Sequence, residues 1–142
     1  MSELINRIEK AEDSFRQFDD WEDKYRYLIS LGKDLKEMPE EHKTEKNIIK
    51  GCTSKVWLSA QIQDDKILFF ADSDAAITKG IIALLINIFD GSKPMEILSN
   101  DFSFIDTIGL RKHLTLNRAN GLASMLKQIK LYAMAFQTQI SN

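Results

Sequence analysis

Cysteine is nearly absent from this chain: one occurs among 142 residues, at position 52. A single thiol excludes an internal disulfide. An oxidising compartment would then add nothing to stability, and a cytoplasmic location is expected. Metal ligands are scarce as well. Zinc or an iron–sulfur cluster needs several thiolates or imidazoles, and beside Cys52 there are only His42 and His113, far apart in sequence. No resident metal or cofactor is expected. Proline is limited to Pro39 and Pro94, neither opens a linker, and no internal repeat or low-complexity segment occurs, so a single domain over residues 1–142 is expected. No sign of charge dominates: 19 basic residues face 21 acidic ones, for a net charge of −2. Without a basic field, a nucleic-acid partner is not expected. Long apolar runs are missing too. The greasiest stretch, Ile81 to Ile86, is six residues, where a membrane span needs about 20. The N-terminal residues alternate charged and apolar side chains, unlike a signal peptide. No membrane partner is expected.

What the chain does contain is helical and strand periodicity. Leu4, Ile8, Ala11, Phe15 and Phe18 fall on one helical face. Asp19-Asp20 ends that pattern, and Asp20 is placed to cap a second helix carrying Trp21, Tyr25, Leu28 and Leu35 inward and ending near Gly32. Met38 to Lys46 reads as polar and irregular. From Val56 the period becomes two: Val56, Leu58, Ala60 and Ile62 alternate with Trp57, Ser59, Gln61 and Gln63. The polar turn Gln63-Asp64-Asp65-Lys66 and the apolar run Ile67 to Ala71 complete an antiparallel hairpin. Asp72-Ser73-Asp74 offers acceptors for the start of a helix through Ile77, Ile81, Leu84, Leu85 and Ile88 that stops at Asp90-Gly91. Ser92 and Pro94 open a short helical turn through Met95 and Leu98. Phe102, Phe104 and Ile108 suggest a third strand. Thr115 caps a last helix burying Leu122, Met125, Leu126, Ile129, Tyr132, Ala133 and Phe136. The expected class is α+β, a small antiparallel sheet of about three strands packed with helices.

The segment Asn47 to Trp57 holds the one cysteine. Cys52 follows Gly51, which permits a turn with positive φ, and precedes a strand. A loop tip is therefore expected, with a flexible N-terminal side and an anchored C-terminal side, where functional residues tend to lie. Lys50 and Lys55 flank it and Lys43 and Lys46 lie upstream; cations beside a thiol favour the thiolate and lower its pKa. A lone cysteine is also often a small buried hydrophobe. Pairing Cys52 with His113 would suit a cysteine-dependent hydrolase or transferase, although Arg111-Lys112-His113 reads as solvated surface. An inert cysteine in a non-catalytic adaptor is the third reading. Of the neighbours, Ser54 suits a turn hydrogen bond, Asp74 a helix N-cap or a docking contact, and Arg118 a loop anchor or an ion pair.

Gly51-Cys52-Thr53-Ser54-Lys55-Val56-Trp57 resembles the Gly-Cys-x-Ser-x-Val-Trp signature of the SufE family. Trp21 to Tyr25 with Leu31-Gly32, Asp72 to Ala75 with Lys79-Gly80, and Leu114-Thr115 with Arg118 and Asn120-Gly121-Leu122 resemble further family patterns in the same order. The resemblance covers nearly the whole chain. It implies a SufE/IscU-like fold and a sulfur acceptor: Cys52 takes persulfide sulfur from a pyridoxal-phosphate cysteine desulfurase of SufS or CsdA type, stimulates that enzyme, and passes the sulfur to a SufBCD-type iron–sulfur scaffold. On this reading the pyridoxal phosphate belongs to the partner, the carrier holds only a transient persulfide, and it is a monomer or weak homodimer.

Overall fold

The computed structural model describes residues 3–141 of the chain. Helix α1 spans Glu3–Arg16 and buries Leu4 and Phe15, as its apolar spacing predicts. Helix α2, Trp21–Lys33, starts on Asp20, whose carboxylate accepts from the Asp23 amide at 2.9 Å. Leu35 follows just beyond its end and packs at the core margin. Residues 38–46 are more ordered than their polarity suggests: Met38 is buried, and 3₁₀ turns form at Glu40–His42 and Glu45–Asn47.

Strands β1, Val56–Gln63, and β2, Lys66–Ser73, pair antiparallel from Val56↔Ser73 to Gln63↔Lys66. Asp64 and Asp65 both have positive φ, which suits the twist of a two-residue hairpin turn. Helix α3, Ala76–Phe89, is apolar on almost every face because it is covered on almost every face: the hairpin, α1, α2 and the last helix all pack on it. The α2–α3 crossing is close. A methyl group built on Gly80 would stand 2.2 Å from the Leu28 carbonyl oxygen of α2, and one on Gly32 would meet the Gly80 nitrogen at 3.0 Å. Two glycines are what let these backbones touch.

Short helices α4, Pro94–Leu98, α5, Phe104–Ile108, and α6, Leu110–His113, lead to α7, Leu116–Ser141. The Thr115 hydroxyl accepts from the Arg118 amide at 3.3 Å, as expected of a cap, and Leu122, Met125, Leu126, Ile129 and Ala133 are buried.

The third strand expected at Phe102 to Ile108 is not formed: the sheet has two strands, and this segment is α5. The Asn100 and Asp101 side chains accept from the Phe102 and Ser103 amides at 2.8 and 3.0 Å. These local bonds compete with a ladder and turn the chain into a helix. The outer side of β2 is instead met by the turn after α3. The Ile67 amide donates to the Ser92 carbonyl at 2.9 Å, the Gly91 amide to the Ile67 carbonyl at 2.7 Å, and the Phe69 amide to Asp90 Oδ1 at 2.8 Å. On the outer side of β1, the Val56 carbonyl accepts from the Ile49 amide at 2.8 Å and the Leu58 carbonyl from the Tyr132 hydroxyl at 3.2 Å.

Candidate functional site

The loop carrying Cys52 is pinched at its neck. Ile48 bridges Trp57 in antiparallel fashion, and the Ile49 amide donates to Val56. The N-terminal side is therefore anchored as well, contrary to the expectation of a flexible one, because Ile48 and Ile49 supply both a bridge and a buried side chain. Residues 50–55 form the tip. Gly51 has φ +92°, and a side chain there would also strike Ser124 Oγ at 2.8 Å, so the turn requires glycine twice over.

Asp74 does not cap α3. The N-cap position is Ala75, with no side-chain cap bond. The Asp74 carboxylate instead accepts from the Lys55 amide at 3.1 Å, and the Ser73 hydroxyl donates to the Lys55 carbonyl at 2.8 Å. The end of β2 thus ties down the C-terminal side of the loop. The reason is spatial: β1–β2 pairing sets Ser73 opposite Val56, and the polar side chains there reach the neighbouring chain.

Cys52 is half-buried. Its sulfur lies against Gly121 of α7, 3.9 Å from that residue's carbonyl oxygen. A methyl group on Gly121 would come within 3.3 Å of the sulfur, so the missing side chain leaves the sulfur its seat. Beside it opens a pocket of about 300 Å³ whose lining includes Ser54, Thr78, Thr115, Asn117 and Arg118. The structure thus brings Ser54 and Arg118 together with Cys52. No hydrogen bond of the Ser54 hydroxyl occurs among the described residues. Thr78, Thr115, Asn117 and Gly121 come from distant parts of the chain. Of these, Thr115 is legible in the sequence as a helix cap and Gly121 in the family-like pattern, while Thr78 and Asn117 carry no such signal.

The electrostatics reverse one expectation. Burial pushes the Cys52 thiol up rather than down. Lys43 is engaged elsewhere: it pairs with Asp72 at 2.8 Å and Glu40 at 3.2 Å, and those two hydrogen bonds raise its own pKa. Burial by itself would raise the Asp72 carboxyl, but hydrogen bonds from Lys43, the Ser73 amide and Lys79 outweigh it and hold the group below its usual range. Lys50 and Lys55 are exposed, where solvent screens them. Alkylation of Cys52 in the isolated protein should therefore accelerate with pH and reach half its maximal rate above about 8.5, the ordinary thiol value. A rate already flat at pH 7 would show a thiolate and refute this. By linkage, burial of the neutral thiol favours the folded state below the unfolded pKa, and that contribution is lost as pH rises through the folded one.

His113 is not brought to the cysteine. Its ring stacks on Trp21 at 4.1 Å, its Nδ1 lies 3.0 Å from the Gly109 carbonyl, and it is absent from the pocket lining. His42 contacts Ser59 Oγ at 2.8 Å through Nδ1. Among the described residues no three His, Cys, Asp or Glu side chains gather as a metal site, and no helix is long and apolar enough to cross a membrane.

Known proteins resemble this chain. The family model for SufE, the Fe-S metabolism associated domain, matches residues 9–133. An uncharacterized SufE-like protein of Rhizobium meliloti is 42% identical over 131 residues, covering 89% of this chain and 94% of that protein. One from Synechocystis is 38% identical, covering 94% of this chain and 84% of that protein. The solution structure of a hypothetical protein from Thermus thermophilus superposes with a TM-score of 0.78 at 19% identity, over 93% of this chain and 96% of that one, and shows the same α+β fold. With the family model spanning most of the chain, the protein belongs to the SufE family and to iron–sulfur metabolism.

Proposed function

We propose that this protein accepts one sulfur atom on Cys52 from the persulfide of a pyridoxal-phosphate cysteine desulfurase and passes it to an iron–sulfur assembly scaffold. One observation carries the reading: the chain's only thiol stands at the tip of a loop tied at both sides, beside a pocket wide enough for an added sulfur. The step follows thiol–disulfide exchange. The Cys52 thiolate attacks the outer sulfur of the partner's persulfide. A new S–S bond forms at Cys52, the partner's S–S bond breaks, and its thiolate leaves with the electron pair. Nothing is oxidised or reduced overall, so one cysteine on each protein is enough. The half-buried seat against Gly121 shelters the product from solvent reductants and oxidants. Reaching a partner's cysteine requires the tip to swing out, and a docked state that favours the open loop accomplishes this by population shift.

The hydrolase reading lacks its base, since His113 is held on Trp21. The test is intact mass spectrometry of the protein incubated with a SufS- or CsdA-type desulfurase and cysteine. One added sulfur per chain is expected, removable by reductant. An unmodified chain after desulfurase turnover would refute the carrier reading.

A further inference from the structure

One sulfur atom does not account for the size of the Cys52 pocket. At about 300 Å³ it holds on the order of ten waters at about 30 Å³ each, and it falls at the lower end of small-molecule sites, roughly 300–1,000 Å³. Its polar groups also lack partners. Thr78 is only 7% exposed, lines the pocket from α3, and its hydroxyl has no hydrogen bond among the described residues. That hydroxyl keeps contact with solvent in the pocket, where a ligand's polar group can take the place of water. From the start of α7, the Arg118 backbone amide is bonded to Thr115 Oγ1, while its guanidinium, on an exposed residue, has no ion pair or hydrogen bond among the described residues. No carboxylate lines the pocket to pair with it. A guanidinium of this kind fits a carboxylate bidentately.

We propose that this pocket takes a low-molecular-weight persulfide bearing a carboxylate, such as the persulfide of free cysteine, so that Cys52 is loaded with sulfur without a protein donor. The inference rests on Cys52 being a sulfur acceptor. Arg118 binds the carboxylate, Thr78 bonds a polar group of the ligand, and the terminal sulfur lies toward Cys52. The Cys52 thiolate attacks that terminal sulfur. The S–S bond of the small molecule breaks, its thiolate departs with the electron pair and takes up a proton from water, and Cys52 holds the persulfide. Atoms and electrons balance without any oxidant.

The experiment feeds the purified protein with cysteine persulfide made by mixing cystine and sulfide, and separately with the persulfide of 2-mercaptoethanol, which has no carboxylate. Loading of Cys52 is followed by intact mass against time. A charge-assisted contact predicts loading roughly tenfold faster from cysteine persulfide. Arg118→Ala should bring the two donors to the same rate, a loss of selectivity that general damage to the fold would not give. Equal rates from the two donors with the native protein would overturn the proposal. So would failure of both donors on protein that a desulfurase loads normally, which leaves the carrier reading standing. Failure of the desulfurase feed as well would bring down both.

Discussion

Replacing Cys52 by serine should abolish the sulfur adduct and the stimulation of a cysteine desulfurase together, while the protein still folds. The chemistry requires a sulfur nucleophile, because an oxygen in that position cannot hold the transferred atom in an S–S bond of comparable kind. Structurally the change is small. The sulfur's polar contact is a distant one, 3.9 Å to the Gly121 carbonyl, and the loop is held by backbone bonds at Ile49 and Lys55 that the substitution does not touch. The melting temperature should move by no more than a few degrees, in keeping with a change of about 1 kcal/mol or less. Intact mass, steady-state desulfurase assays and a thermal melt on one preparation check all three. Full stimulation by the serine protein would mean that it acts by docking, as an adaptor, and not by accepting sulfur.

Gly80→Ala should destabilise the fold by about 3 kcal/mol or more, lowering the melting temperature by on the order of 10 °C. The sign is the informative part. Helix propensity alone favours alanine over glycine inside a helix by about 1 kcal/mol, so a site governed by propensity would gain stability. At Gly80 the added methyl group would stand 2.2 Å from a backbone carbonyl of α2. A main-chain atom cannot rotate away, and α2 must shift off α3, disturbing Leu28 and the core beside it. Gly121→Ala is the control. Its new methyl group meets the Cys52 sulfur at 3.3 Å, an atom on a loop tip that can give way, so stability should stay within about 1 kcal/mol of native. Equal melting temperatures for native protein and Gly80→Ala would show that the two helices can slide apart freely.

The parts of this structure legible in the sequence were those set by local pattern. Alternation from Val56 gave β1, Asp64-Asp65 gave the turn, and Asp20 and Thr115 gave two helix starts. Cys52 stood out as the candidate nucleophile because it is the single thiol and follows a glycine. What escaped was decided by partners distant in sequence. Asp74 has the side chain of a helix cap, but Lys55 lies nearer in space, and no local rule reports that. The lysines around Cys52 promise a thiolate; the fold instead engages Lys43 with Asp72 and leaves burial as the dominant influence. The Phe102-x-Phe104 alternation imitates a strand, yet the two Asx-type bonds before it settle the segment as helix. The pocket itself is joined from the loop, α3 and α7, and is visible only once they are assembled.

The hydrogen bonds along the outer sides of the hairpin bear on how this protein meets others of its kind. A sheet of two strands is all edge, and unpaired edge groups are a template on which another chain can add a strand, the usual route to aggregation. Here Ser92, Gly91 and Asp90 occupy Ile67 and Phe69 on one side, and Ile49 and Tyr132 occupy Val56 and Leu58 on the other. These backbone groups are satisfied within the molecule. The molecule is thereby closed to strand addition at this part of its sheet, and what it leaves open to another chain is its side chains and the loop tip.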